Sequence, residues 1–233
     1  RAPFRRIEVP VGPGVFIPRP ETELITEAGV RVLRESEAGL GVDLCSGSGA
    51  VGLSLALEAP GSTVYLVELD DTAVQWTADN AAHFSADVAQ CGSNVHVVHA
   101  DAGAVAEPGA PLASLIGRVD AVIANPPYIP DSMVPRELEV RDHDPYLALY
   151  GGPDGLDVVR RIVRTAALLL RPGGLLAMEH ADTQGPDAPG GGVVGVVSSW
   201  CLDEQTSTLV PGLPGAPAFT GVTDRLDLAG EDR

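Results

Sequence analysis

Positive charge is scarce in this chain. Fifteen basic side chains face 32 acidic ones over 233 residues, a formal net charge of −17. Such a surface repels phosphate backbones, and no basic stripe runs along the sequence, which counts against a nucleic-acid substrate. Cysteine is nearly absent: Cys45, Cys91 and Cys201 are odd in number, far apart and without metal-ligand spacing. They read as plain thiols of a reducing compartment. The five histidines are scattered. His96 and His99 share one strand-like segment, which reads as local packing, so no metal site is expected. No apolar run approaches the roughly 20 residues of a membrane helix. No basic-then-apolar leader opens the chain, and a cytoplasmic location is expected. The first residue is Arg1 rather than Met, with Arg5 and Arg6 close behind. The sequence therefore reads as a fragment or the ordered part of something longer.

What is present is 45% hydrophobic residues, enough for a substantial core. The first twenty residues read as extended, Ile7-Glu8-Val9 and Val15-Phe16-Ile17 flanking a Pro/Gly turn. Pro20 suits the first turn of a helix, with Glu21 and Glu23 at its positive end. Leu24, Ile25, Ala28, Val32 and Leu33 give that helix an apolar face. Strands and helices then alternate: strand 41–45, helix 50–59, strand 63–68, helix 71–84, strands 95–99 and 119–124. A helix near 155–170 ends at Arg171-Pro172-Gly173-Gly174, and strand 174–179 follows. Residues 103–117 and 181–192 read as loops, Phe219 to Leu228 as one late strand. Strands separated by helical patterns imply α/β architecture, a mostly parallel twisted sheet covered on both faces. Residues 1–18 are expected to form a β-hairpin or linker segment, and 19–233 one domain.

The most informative feature is Asn125-Pro126-Pro127-Tyr128, which closes the apolar run Val119-Asp120-Ala121-Val122-Ile123-Ala124. The run reads as a buried strand and the two prolines as a rigid turn. Asn125 is thereby held at the carboxyl end of a strand, where open α/β sheets place ligands. Its side-chain oxygen and the Pro126 carbonyl are two acceptors pointing into one space. A planar –NH2 group could donate one hydrogen to each, which suits methyl transfer onto an amide or amine nitrogen.

A second group of residues suits a nucleoside. Val42-Asp43-Leu44-Cys45-Ser46-Gly47-Ser48-Gly49 joins the first central strand to its helix, and glycines there let backbone approach a ligand. A Gly-rich turn alone is shared by dinucleotide and adenosylmethionine binders. The acids that follow discriminate. Glu68 ends the next strand, where an acid takes ribose hydroxyls. Leu69 follows it. Asp101 and Ala102 follow the strand after, where a carboxylate can reach an exocyclic amine. Asp43, early in the loop, could orient the methionine end of a cofactor. Acids at 43, 68 and 101 suit a ligand carrying a sulfonium and an ammonium better than a pyrophosphate, so hydride transfer ranks second. Trp76 and Trp200 sit at helical positions and read as packing residues.

Taken together, these segments resemble a class I adenosylmethionine-dependent methyltransferase with its Rossmann-like fold. Phe16-Ile17-Pro18-Arg19-Pro20-Glu21-Thr22-Glu23 closely resembles the helix-start motif of the HemK-type protein-(glutamine-N5) methyltransferases. Arg141-Asp142-His143-Asp144-Pro145, Ala148-Leu149, Gly151-Gly152-Pro153-Asp154-Gly155 and Glu179-His180 are similar to that family too. The resemblance runs from about residue 4 to 230. It implies S-adenosyl-L-methionine as cofactor and, as substrate and partner, the glutamine of the Gly-Gly-Gln loop in bacterial class I release factors. A cytoplasmic monomer with no membrane or direct nucleic-acid partner is expected. Alternatives are a ribosomal-protein glutamine, an adenine-N6 nucleic-acid methyltransferase, and a non-catalytic module that kept the fold.

On that resemblance, Asn125, Pro126 and Tyr128 are the candidate catalytic residues. Pro127, Arg19 and Glu21 join them toward the substrate. Asp43, Cys45, Ser46, Gly47, Ser48, Gly49, Glu68, Leu69, Asp101, Ala102 and Asn125 face the cofactor. Tyr128 is expected against the glutamine side chain or the methionine end. Arg19 and Glu21 would shape the entrance or anchor the first helix. Glu179 reads equally as a cleft acid or a surface acid. The family's N-terminal helical domain and final strand have no counterpart here, which fits a trimmed fragment. Cys45 stands where the family usually has the first glycine of its loop. Ala102 stands where some members carry a bulky residue, and a looser adenine pocket is expected.

Overall fold

Five largely apolar segments assemble into one parallel sheet in the computed structural model, which describes residues 1–135, 140, 144–181 and the backbone of 223–224 and 228–229. The strands are β3 (Leu40–Leu44), β4 (Thr63–Glu68), β5 (Asn94–His99), β6 (Val119–Ala124) and β8 (Leu170–Met178). Their order across the sheet is β5-β4-β3-β6-β8. Three helices make the main crossovers: α2 (Ala50–Glu58), α3 (Asp71–His83) and α6 (Asp157–Leu169). From β3 the chain winds outward through β4 to β5, then returns to β3's other side as β6. The carboxyl ends of β3 and β6 therefore flank a switch point, where such sheets open a crevice.

All six residues of β6 are buried, which is why its sequence reads as a continuous apolar run instead of alternating. On one face Val42, Leu44 and Val122 pack against Val159, Ile162 and Ala166 of α6. On the other, Leu53, Leu55, Leu66 and Ile123 pack against Ile25 and Leu33 of α1 (Thr22–Glu35). The one acid inside β6 is fully employed. Asp120 accepts from Arg171 Nε (2.6 Å), Ser36 Oγ (2.9 Å) and the Leu40 amide (2.8 Å), tying the turn before β3 to the sheet.

Strands 41–45, 63–68, 95–99 and 119–124 and helices 50–59, 71–84 and 155–170 all lie within about two residues of their expected place. The differences have physical causes. The N-terminal hairpin pairs β1 (Ala2–Phe4) with β2 (Ile7–Val9), not 7–9 with 15–17. Its turn is Arg5-Arg6, and Arg5 adopts φ +50° because its side chain is anchored to Glu58 (Nε to Oε1 2.7 Å) while its amide bonds Glu23 (2.9 Å). Residues 15–17 form no strand. Ile25, Ala28 and Leu33 of α1 are buried as expected, joined by Thr22, Thr26, Gly29 and Val30, whereas Leu24 is 62% exposed and Val32 half-buried. The sequence reading missed α4 (Ser85–Gln90) and α5 (Tyr146–Leu149), both under two turns long. Strand β8 begins at Leu170, because its pairing with β6 shifts register between Val119 and Ala121 and the Pro-Gly-Gly segment forms the bulge. Residues 103–117 are turns with a single 3₁₀ turn at Ala113–Leu115.

Short ladders complete the described backbone. They are β7 (Val134–Pro135) with β11 (Leu228–Ala229), and β9 (His180–Ala181) with β10 (Thr223–Asp224). The expected strand from Phe219 to Leu228, the loop 182–192, Arg141–His143, Trp200 and Cys201 otherwise lie outside the described residues. Among those described, no helix is long and apolar enough to cross a membrane.

Candidate active site

A cleft of about 200 Å³ opens at the carboxyl ends of β3, β4 and β6, at the switch point. Its cofactor-side wall grows from the turn after β3. Cys45 has φ +64°, Gly47 +55° and Gly49 +81°, so the chain coils tightly before α2 begins at Ala50. A side chain at Gly47 would meet nothing within 4 Å, leaving the backbone open to the cleft. Cys45 occupies a left-handed conformation that costs an L-residue about 1 kcal/mol or more. Glycine at that position carries no such cost. Enclosure, together with Glu68, Asp43 and Asp101, pushes the Cys45 thiol well up, which rules it out as a ready nucleophile.

Glu68 organises this wall. Its Oε2 accepts from the Gly47 amide (2.7 Å), and its Oε1 from the amides of Leu69 and Asp70 (2.8 and 2.9 Å). One carboxylate thus joins two strand-end loops. Asp43 lies inside β3 rather than in the loop, and its Oδ2 accepts from the Gly52 amide at 2.8 Å. Burial, with Glu68 nearby, raises its carboxyl to about 8 against the pull of that N–H. Asp101 is engaged by Arg161 Nη2 (2.5 Å) and the Gly103 amide (2.8 Å). Arg161 comes from α6 and was not singled out in the sequence. Gly47, Gly49 and Gly52 stand at Gly-x-Gly-x-x-Gly spacing, so glycine spacing does not separate the two ligand classes here and the acids carry that distinction.

The opposite wall belongs to β6 and β8. Asn125 lines the cleft, its Nδ2 donating to Thr22 Oγ1 at 3.2 Å. Thr22 in turn donates to Glu179 Oε2 at 2.7 Å. Glu179 follows β8, is 0% exposed, and also takes a hydrogen bond from Asn125. Tyr128 is buried, and its hydroxyl donates to Glu179 Oε1 at 3.4 Å. Burial lifts the Glu179 carboxyl to about 7, opposed by Thr22 and Asn125 and assisted by Glu21. The chain after Tyr128 is pinned by Ile129 and Gly151, whose amides bond Leu149 (2.8 Å) and Ile129 (2.9 Å) carbonyls.

The structure brings Asp43, Cys45, Ser46, Gly47, Ser48, Glu68, Leu69, Asp101, Ala102, Asn125 and Pro127 to the cleft lining. Gly49, Pro126, Tyr128, Arg19 and Glu21 stand behind or beside it. Arg19 pairs with Asp144 (2.8 Å) and lies over the Phe16 ring, 5.2 Å from its centroid. Thr22, Phe16 and Arg161 also line the cleft. Thr22 and Glu179 could be found only through long-range pairing, since 157 residues separate them. His96 stacks on Tyr65, and Trp76 donates to the Pro13 carbonyl at 3.3 Å. Among the described residues no cluster of His, Cys, Asp and Glu could hold a metal ion.

The residues fit adenosylmethionine on three counts. Apolar surface from Val67, Leu69, Ala102 and Val158 offers a ring slot. The carboxylates of Glu68 and Asp101, with the neutral Asp43 carboxyl beside them, line a wall suited to positive charge, and the lining arginine, Arg161, is already tied to an acid.

The methyltransferase small domain family model matches residues 7–138. A release factor glutamine methyltransferase of Mycolicibacterium smegmatis is 46% identical over 232 residues, covering the whole of this chain and 70% of that one. This chain belongs to that methyltransferase family. The release factor glutamine methyltransferase of Bifidobacterium longum is 49% identical over 187 residues, 79% of this chain and 62% of that one. A 4-amino-L-phenylalanine/4-methylamino-L-phenylalanine methyltransferase of Streptomyces pristinaespiralis is 39% identical over 184 residues, covering 77% and 58%. The chain spans a little under two thirds of the Bifidobacterium protein. The α/β class and mostly parallel sheet flanked by helices expected from the sequence are those found.

Proposed function

We propose that this protein transfers a methyl group from S-adenosyl-L-methionine to the side-chain nitrogen of the glutamine in the Gly-Gly-Gln loop of class I release factors. The observation that carries the reading is Asn125, fixed at the end of β6 on the wall facing the acid-lined cofactor side. Family membership and the names of relatives support the acceptor. The reaction then belongs to the cytoplasm, where translation factors work, and residues 19–233 form the methyl-transferring domain of a monomer.

An amide nitrogen is a weak nucleophile because its lone pair is delocalised into the carbonyl. Asn125 Oδ1 and the Pro126 carbonyl would accept its two N–H bonds, raise electron density on nitrogen and aim the lone pair. When bound, adenosylmethionine supplies a methyl carbon made electrophilic by a sulfonium. Positioning and electrostatics carry the catalysis. No side-chain nucleophile is required, and the methylated nitrogen sheds its extra proton to water. Glu68 would hold ribose hydroxyls and Asp43 would steady the loop beneath the methionine end. Asp101, shared with Arg161, would border the adenine slot. An arylamine poses the same two-donor problem, which suits the Streptomyces pristinaespiralis relative's named substrates.

The test is transfer of radiolabelled methyl to a release factor and to its loop Gln→Ala variant, side by side. Label on the first alone supports the reading. Label on both moves the acceptor elsewhere, and label on DNA alone ends it.

A further inference from the structure

Glu179 is a buried acid with no part in the chemistry above. It is fully enclosed, yet receives the Thr22 hydroxyl at 2.7 Å, Tyr128 at 3.4 Å and the side chain of Asn125. The direction of these bonds matters. A carboxylate only accepts, so Thr22 must point its hydrogen at Glu179 and offer its oxygen to Asn125. That leaves Thr22 able to receive only the –NH2 edge of Asn125, as the 3.2 Å Nδ2–Oγ1 bond records. The chain is then polarised in one sense, from Asn125 nitrogen through Thr22 to Glu179.

We infer that Glu179, acting both directly and through Thr22, is a positioning residue that holds the Asn125 amide with its oxygen toward the methyl acceptor. The inference rests on the proposed amide-methylating reading of the cleft. An asparagine amide is nearly symmetric in shape, and its flipped form would present –NH2 to an incoming –NH2, donor against donor. A neutral Gln at position 179 can donate to Thr22 and so allows the hydroxyl to reverse. The flip then costs the site its acceptor with no change in packing volume.

The same arrangement implies a pH response. Burial holds the carboxyl of Glu179 at about 7. The charged groups around it are Glu21, which raises it, and Arg19, which lowers it and is itself paired with Asp144. Thr22 comes from α1, Asn125 and Tyr128 from the turn after β6, and His180 is the buried next residue. Below that midpoint a protonated Glu179 can donate, and the polarity is no longer enforced. Turnover is expected to rise as pH climbs through about 7.

The experiment compares wild type, Glu179→Gln, Glu179→Asp and Thr22→Val. Saturating kcat with a release factor is measured from pH 5.5 to 9, together with adenosylhomocysteine affinity. Glu179→Gln is expected to lose about 10²-fold in kcat, the scale of a misplaced reacting group, with cofactor affinity unchanged and the inflection near pH 7 abolished. Glu179→Asp, which still only accepts, is expected to recover part of the rate. Thr22→Val removes the hydroxyl link but leaves the direct Asn125–Glu179 bond, and is expected to fall between wild type and Glu179→Gln in kcat. In the ligand-free protein, the Asn125 side-chain amide resonance is expected to shift with the Glu179 midpoint. An unchanged kcat and pH profile in Glu179→Gln, or an Asn125 resonance flat across pH 7, would overturn the inference. Failure of wild type to label any release factor would instead overturn the function it rests on.

Discussion

The two walls of the cleft are built on opposite principles. On the cofactor side, acids meet backbone: Glu68 takes three main-chain N–H groups and Asp43 takes one. On the acceptor side, side chain meets side chain, as Asn125, Thr22, Tyr128 and Glu179 close a largely buried polar network. A wall held by backbone bonds tolerates many side chains provided the loop keeps its path. A wall held by side chains depends on each hydroxyl, amide and carboxylate and on which one donates. The first suits binding and the second suits orienting a reacting atom.

Substitutions can break that contrast, and the largest effect is expected at Glu68. Changing it to Ala leaves the amides of Gly47, Leu69 and Asp70 without their partner and removes the acid proposed to hold the ribose. Hydrogen bonds to a charged group are worth about 1.5–3 kcal/mol, so loss of the proposed ribose contacts is expected to lower adenosylmethionine affinity, by calorimetry, by about 10²-fold. Turnover at saturating cofactor should change far less. Equal losses in binding and kcat would erase the division of labour between the walls.

Packing beneath the cofactor loop comes next. A Cβ on Gly52 would lie 2.5 Å from Leu66 Cγ and 3.2 Å from the Asp43 carboxylate. Gly52→Ala is expected to destabilise the fold by about 1–3 kcal/mol, read by thermal melting.

The pH dependence of stability sharpens the comparison, since each wall contains one acid raised by burial: Asp43 to about 8 and Glu179 to about 7. A carboxyl raised in the folded state binds a proton there that the unfolded chain has already lost. Stability from these groups is therefore greatest below their ordinary values of 3.8 and 4.5 and falls as pH rises toward 7 and 8. Denaturant titrations at pH 5.5 and 8 are expected to show a decline in wild type that is shallower in Asp43→Asn. Identical slopes would mean that Asp43 is ionised in the fold throughout.

The smallest effect is expected at Cys45. Replacement by Gly relieves the φ +64° conformation, and the gain is about 0.5–1 kcal/mol after the greater freedom of the unfolded chain is counted. A loss of stability on that change would mean the thiol's packing outweighs the strain.

The same contrast explains what the sequence disclosed. The cofactor wall is local, with Asp43 through Gly49 contiguous and Glu68 and Asp101 each at a strand end, so strand periodicity alone brought them together. Strand β6 and its Pro-Pro turn were legible because a fully buried parallel strand has no polar alternation to obscure it. Glu179 was ambiguous because burial cannot be read from one acid at a strand end. Its partner Thr22, which lines the cleft, carried no sequence signal of its own because the pairing spans 157 residues. The N-terminal turn was misplaced because Arg5 sits at positive φ through long-range bonds to Glu23 and Glu58, which Pro/Gly punctuation does not announce.

Replacing Asn125 with Ala tests the central claim most directly, by single-turnover methyl transfer alongside calorimetry with adenosylhomocysteine. The account expects near-normal binding with a rate lowered by about 10²-fold or more, the loss of one preorganised polar contact. A normal rate, or a rate loss matched by lost cofactor affinity, would contradict it.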